Sequence, residues 1–276
     1  MKTNRLIKFV VALVFLAGCT TPEKPESLTQ YVDPTIGNVS VLLQPTRPTT
    51  QLPNQVIRMY PVRADFIDDQ IRFFPFTIAS HRNGELFGVL PGTGNPDKGT
   101  WKQRQTYDHQ LEVTRPFFYS TYLIDDEITT EFAPGKKSAI FRFTFSEKGE
   151  KRLRFNLVNT GKWEPVSATS FTGVEEFQGM KAFVYAEFDA EPKILIEENG
   201  TPEQPVGKPV LWADFSENKN PVVQLKYAVS FISTEQAEKN LKNEIEGWEL
   251  EKLAENGKAA WEETLGKIQV KGGTDA

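Results

Sequence analysis

The sequence predicts an all-β protein, a large antiparallel β-sandwich followed by a short α-helical linker. Three observations predict it. From Gln55 to Ser233 apolar residues recur with period two in short runs separated by turn residues, the pattern of strands with a buried face. Twenty phenylalanines supply a thick apolar layer between two sheets, and short strands joined by short turns favour antiparallel pairing. At Ser233 the period changes to that of a helix.

Residues 1–18 are expected to lie outside the fold. Lys2, Arg5 and Lys8 form a basic start, and Val10 to Leu16 an apolar stretch too short to cross a bilayer as a helix. Leu16-Ala17-Gly18-Cys19 has the form of a lipobox, in which Cys19 is the thiol that takes the lipid. Cys19 is the sole cysteine, so no intrachain disulfide framework exists. Lipidation there implies an exported bacterial lipoprotein, anchored to the outer membrane on its periplasmic or cell-surface face and not spanning it. Residues 19–30 read as a tether, since Thr20 to Thr29 is rich in Pro, Glu, Ser and Thr. Without the three leader cations, 29 basic residues stand against 37 acidic ones, a net charge of −8. That balance argues against nucleic acid and against a basic lipid-binding surface.

Residues 31–232 carry the β domain. Ala139 to Phe145 alternates and puts three phenylalanines on one face, and Leu153, Phe155 and Leu157 do the same after the turn at residues 147–150. Phe117 to Ile124, Glu127 to Phe132, Met180 to Phe188, Lys193 to Ile196 and Val222 to Ile232 are further strands. Phe183-Val184-Tyr185-Ala186 is apolar at both parities, which predicts burial on both faces. Residues 233–276 form the linker. Ser233 and Gln236 have capping-box spacing, and Ala237, Leu241, Ile245 and Trp248 follow at helical intervals. A second helical stretch carries Leu250, Leu253, Ala254, Trp261 and Leu265, with a break expected near Asn256-Gly257 and a strand-like run at Lys267 to Val270. The apolar stripe needs a surface: either a following domain or the β domain itself.

Chemistry-bearing patterns are sparse. There are two histidines, His81 and His109, no metal-ligand spacing, no nucleophile elbow and no phosphate-binding loop. The acidic pairs Asp68-Asp69, Asp125-Asp126, Glu175-Glu176 and Glu197-Glu198 read as solvated turn residues, because neighbours on a strand point to opposite faces. The distinctive stretch runs from Ile78 to His109: a glycine-dense loop with Ser80-His81-Arg82 before it and Gly92-Thr93-Gly94-Asn95-Pro96-Asp97-Lys98-Gly99-Thr100-Trp101 within it. An aromatic platform beside polar donors suits a sugar. The same glycines and prolines also occur in ordinary β turns.

Four segments carry a family resemblance. Tyr31-Val32-Asp33-Pro34-Thr35-Ile36-Gly37, Gly92-Thr93-Gly94 with Pro96-Asp97 and Gly99, Pro116-Phe117-Phe118-Tyr119-Ser120-Thr121-Tyr122-Leu123, and the run from Ala228 to Asn240 resemble, in order, motifs of glycoside hydrolase family 92, the exo-acting α-mannosidases. The resemblance implies a supersandwich-like N-terminal domain joined through helices to an (α/α)-barrel-like catalytic domain, with the active site between them. It implies a calcium-dependent, inverting hydrolase acting on an oligosaccharide or glycan. It places both catalytic carboxylates and most calcium contacts in the C-terminal domain, so no catalytic residue and no metal ligand is expected in this chain. On that model His81, Arg82, Thr93, Asp97 and Trp101 are the substrate-binding candidates, lining the domain interface and orienting the sugar.

The chain departs from the family where Asn38-Val39-Ser40 replaces a glycine-rich stretch, where residues 52–61 replace a Tyr-Pro-Gly-Ala…Pro-Phe-Gly run, and where the aromatic-rich segment before Ser80-His81 lacks tryptophan. Linkage and sugar preference are therefore not carried over. Two other readings compete: a free-standing, non-catalytic glycan-binding surface lipoprotein, and a mutarotase-like enzyme that would need His81 and His109 as an acid/base pair.

Overall fold

The period-two runs pair into the two sheets of a sandwich in a computed structural model that describes residues 27–39, 46–64, 67–79, 84–146, 149–198 and 208–269. The leader 1–18, Cys19 and the tether as far as residue 26 lie outside the described residues. The larger sheet has eight antiparallel strands. Across it run β12 (Thr160–Pro165), β13 (Ser170–Phe177), β14 (Met180–Phe188), β17 (Val222–Ser230), β10 (Ser138–Thr144), β9 (Ile128–Pro134), β8 (Phe118–Leu123) and β7 (Val113–Arg115). The smaller sheet orders β15 (Lys193–Glu197), β16 (Val210–Asp214), β11 (Arg152–Asn156), β5 (Glu85–Gly92) and β4 (Phe74–Ile78). Two short ribbons flank them, β1 (Thr50–Gln51) with β2 (Arg58–Met59), and β3 (Gln70–Ile71) with β6 (Gln105–Thr106).

Strand parity decides what each side chain meets. Phe141, Phe143 and Phe145 enter the layer between the sheets, as do Leu153, Phe155 and Leu157 from the facing sheet. Phe141 and Phe143 stack at 5.6 Å, while Phe132 lies tilted 4.7 Å from Phe141 and Phe171 tilted 4.8 Å from Phe155, arrangements that add to the area term of roughly 2–3 kcal/mol per buried phenylalanine. Tyr227 stacks on Phe76 at 4.1 Å and donates its hydroxyl to the Phe76 carbonyl at 2.8 Å, joining the sheets through the core. The second parity serves a second layer. Ile140, Tyr185, Ala133 and Ala228 leave the sandwich core and meet the helices, which is why Phe183-Val184-Tyr185-Ala186 is apolar at both parities.

Helix α1 (Thr234–Glu244) starts at Ser233, whose hydroxyl accepts from Gln236 N at 3.2 Å. The reciprocal half of the box is absent: the Gln236 amide donates to Asn240 Oδ1 at 2.9 Å, and Asn240 donates to the Val229 carbonyl at 3.2 Å. Ala237 and Leu241 then seat on β14 and β17. Helix α2 (Leu250–Leu265) crosses β9 and β10. So the stripe packs on the β domain. The expected break at Asn256-Gly257 does not occur, because α2 runs on unbroken and needs the glycine for closeness: a Cβ at Gly257 would stand 2.9 Å from Leu52 and 3.1 Å from Phe117. Residues 267–269 turn instead of forming a strand, and Val270 lies outside the described residues. Arg142 Nε and Nη2 fork onto Glu131 at 2.7 and 2.8 Å and Nη1 reaches Glu251 at 2.6 Å, while Trp261 Nε1 donates to the Gln51 carbonyl at 2.9 Å. These contacts bind α2 to the larger sheet and to β1.

Candidate functional site

The loop following β5 is built by its glycines. At Gly94 the chain turns back so tightly that a Cβ would stand 2.3 Å from the Thr100 carbonyl oxygen and 2.7 Å from Trp101 Cα. That return lays the Trp101 indole on Gly92, where a Cβ would be 2.7 Å from the ring. Between the two contacts, Asn95 Oδ1 accepts from Asp97 N at 2.9 Å and Asn95 N donates to the Thr100 hydroxyl at 2.9 Å, closing the loop with its own polar groups.

Beneath this loop lies the outer face of the smaller sheet. In register across β5, β11 and β16 stand the rows Gly92–Arg152–Asp214, Leu90–Arg154–Trp212 and Gly88–Asn156–Val210. Trp101 meets Trp212 edge-on at 4.7 Å, and the Arg154 guanidinium lies 6.0 Å from the Trp101 ring while bonding Gln103 Oε1. Arg152 donates to the Gly94 carbonyl at 2.9 Å, to Asp214 at 2.7 Å and to Glu150. The indole nitrogens of Trp101 and Trp212 and Asn156 Oδ1 are buried with no hydrogen-bond partner among the described residues.

One buried carboxylate holds the loop to the sandwich. Asp126 accepts from Thr93 N at 2.9 Å, Gln105 Nε2 at 2.8 Å and Lys102 Nζ at 2.9 Å. Burial alone would raise its pKa, but the three donors outweigh burial and hold it below the ordinary aspartate value. Glu175 is a second buried carboxylate, on β13. It accepts from Phe87 N at 2.5 Å and Asn159 N at 2.7 Å, and burial drives it up to about 7 against the pull of those amides and of Val158 N. Phe87 sits at φ 52, a left-handed position that a bulky residue rarely takes. There the β4–β5 pairing skips the Phe76–Phe87 position without a change of register, and Leu86 and Phe87 both enter the core. Asp126 and Glu175 thus overturn the reading of their pairs as solvated turn residues. Sequence offers no signal for this, since the donors to each carboxylate come from other segments of the chain.

Of the sequence-predicted site residues, Trp101 lies over Gly92, Thr93 follows Gly92 and gives its N–H to Asp126, and Asp97 is exposed on the same loop. His81 and Arg82 lie outside the described residues. Sequence reasoning missed Trp212, Arg152 and Arg154. The available signal was two arginines alternating with Leu153 and Phe155 in a strand with a buried face. His109 lies against Tyr107, whose hydroxyl is 3.0 Å from Nδ1, beside a buried Arg63–Glu112 pair. Burial, foremost, raises the phenol pKa of both Tyr107 and Tyr119 there. Among the described residues no group of three or more His, Cys, Asp or Glu side chains is placed to hold a metal ion.

The sequence matches the glycosyl hydrolase family 92 N-terminal domain over residues 31–230 and the glycosyl hydrolase family 92 catalytic domain over residues 236–276. No curated protein matches it. The fold is similar to that of the family GH92 inverting mannosidase BT2199 from Bacteroides thetaiotaomicron VPI-5482, with a TM-score of 0.80 and 20% identity over 92% of this chain and 38% of the other. The family GH92 α-mannosidase BT3965 from Bacteroides thetaiotaomicron gives 0.73 and 22% over 90% of this chain and 39% of the other. The gh92 family glycosyl hydrolase ccman5 gives 0.72 and 17% over 88% and 38%. The chain spans less than two fifths of the length of these proteins.

Proposed function

The chain belongs to glycosyl hydrolase family 92, and from that premise we propose that it is the carbohydrate-facing N-terminal part of a calcium-dependent, inverting exo-α-mannosidase. The observation that carries this reading is the joint match, residues 31–230 to the family's N-terminal domain and 236–276 to its catalytic domain. The second match also favours a hydrolase over a free-standing glycan-binding lipoprotein. Inversion needs an acid on the leaving oxygen and a base on water across the ring, with carboxyls roughly 6.5–9.5 Å apart. In this reading that pair and the calcium belong to the catalytic domain, and the β domain supplies one wall of the site.

The wall orients substrate; it does not break the bond. Trp101 gives an apolar ring face, Thr93 and Asp97 give polar groups on the same loop, and His81 and Arg82 complete the set of substrate-orienting groups. The reading includes the outer-membrane anchor at Cys19, which a Cys19→Ser variant tests by moving the protein from the membrane to the soluble fraction. The functional test is an assay of this chain on aryl and disaccharide α-mannosides with calcium. No turnover is expected. Turnover at an enzymatic rate would overturn the assignment of acid and base to the other domain. In the complete enzyme Trp101→Ala should raise KM.

A further inference from the structure

A cleft of about 850 Å³ opens beside the loop, where β15, β16 and the start of β11 meet, and it is separate from the residues assigned above. Its floor is the Arg152–Asp214 pair. Arg152 is held on three sides, by Asp214 at 2.7 Å, by the Gly94 carbonyl at 2.9 Å and by Glu150. Asp214 in turn accepts from Ser216 N at 2.8 Å and from the Ser216 hydroxyl. These acceptors are fixed in place before any ligand arrives. Around the rim stand Glu191, Lys193 and Asn218, and the Asn218 carbonyl is tied to Lys151.

The charges decide the ligand class. Four carboxylates and two cations line the cleft, so it does not attract an anion. Among the described residues no cluster is placed to hold a metal ion. The ligand that suits closely spaced fixed acceptors and a few donors is neutral and rich in hydroxyls, because each hydroxyl gives and takes a hydrogen bond. Strand parity adds an apolar continuation. Leu195, 52% exposed, lies two residues along β15 from Lys193 on the same face and pairs with Trp212, whose indole meets Trp101.

We propose that this cleft is a carbohydrate subsite that takes a neutral oligosaccharide and leads it across Leu195 toward Trp101. It rests on the family reading only for the choice of an α-mannoside probe. The test titrates the mature chain with linear α-linked mannotriose and with cellotriose by calorimetry. The double variant Lys193→Ala/Asn218→Ala removes rim side chains and one exposed turn bond, Asn220 N to Asn218 Oδ1, so its melting temperature should stay close to that of the parent. Expected is binding that the double variant weakens about tenfold. Binding untouched by the double variant but lost in Trp101→Ala overturns the cleft and leaves the loop assignment standing. Cellotriose binding through Lys193 and Asn218 without mannotriose binding supports the cleft and overturns the α-mannoside assignment. Binding of neither trisaccharide overturns the cleft.

Discussion

Replacing Asp126 by alanine tests whether one buried carboxylate holds the loop that carries Thr93 and Trp101. The side chain is 5% exposed and takes three donors. Two of them would lose this acceptor, Thr93 N and the amide of the fully buried Gln105, which would keep only a long 3.5 Å bond to the Pro91 carbonyl. Stranding a buried donor costs roughly 1–3 kcal/mol each. Lys102 is 44% exposed, so its ion pair adds only about 0–1 kcal/mol. The expected loss is about 3–5 kcal/mol, measured by equilibrium urea unfolding followed by tryptophan fluorescence. Trp101 should report the loop directly, since freeing it breaks the edge contact with Trp212. Asp126→Asn retains one acceptor and turns an N–H toward the other donors, and should cost less, roughly 1–3 kcal/mol. Because the folded pKa lies below the unfolded 3.8, the carboxylate's contribution is present above that value and is lost as pH falls through the folded one. Asp126→Ala should remove that acid sensitivity. A loss below about 1 kcal/mol, far under the cost of two stranded donors, with unchanged emission would refute the argument.

Three further outcomes follow from the same contacts. Glu175, pushed up to about 7 from 4.5, stabilises the fold fully below 4.5 and loses that contribution as pH rises through 7, about 3 kcal/mol in all; unfolding at pH 4.5 and pH 8 should show this fall in the parent and not in Glu175→Gln. The Glu262 carboxylate accepts from the Ser27 hydroxyl at 2.5 Å, Leu28 N at 2.9 Å and Thr29 N at 3.2 Å, which lowers its pKa to about 2. Its hold on residues 27–29 is present above 4.5 and lost toward pH 2, so Glu262→Gln should speed amide exchange at Leu28 and Thr29, and unchanged protection would count against the clamp. Leu241→Ala, at a site 1% exposed between α1 and the sheet, should cost about 3 kcal/mol in urea unfolding; a negligible loss would mean that the helices do not belong to the folded unit.

Much of the fold was legible in the sequence because strand and helix periodicity are local. The alternation from Ala139 to Phe145 states which side chains share a face, and Ser233 marks a helix start within three residues of its partner. The mixed parity of residues 183–186 even announced a second layer, without saying that the chain's own helices supply it. Gly257 shows the limit of local reading. The same glycine that weakens an isolated helix is here required by the approach of Leu52 and Phe117, some 200 and 140 positions away.

The candidate site was legible in residue types and not in arrangement. Sequence alone determined that a glycine-dense, tryptophan-bearing stretch lies between Ile78 and His109 and that few chemistry-bearing motifs accompany it. Tertiary structure decided that Trp101 folds onto Gly92 and against Trp212. It also decided that Asp126 and Glu175 are buried acceptors, when their neighbours in sequence are ordinary acidic residues. The reason is physical: a carboxylate's state is set by the donors around it, and those of Glu175 come from Phe87, 88 positions away, and from Asn159, 16 positions away. Only the folded chain brings them within reach.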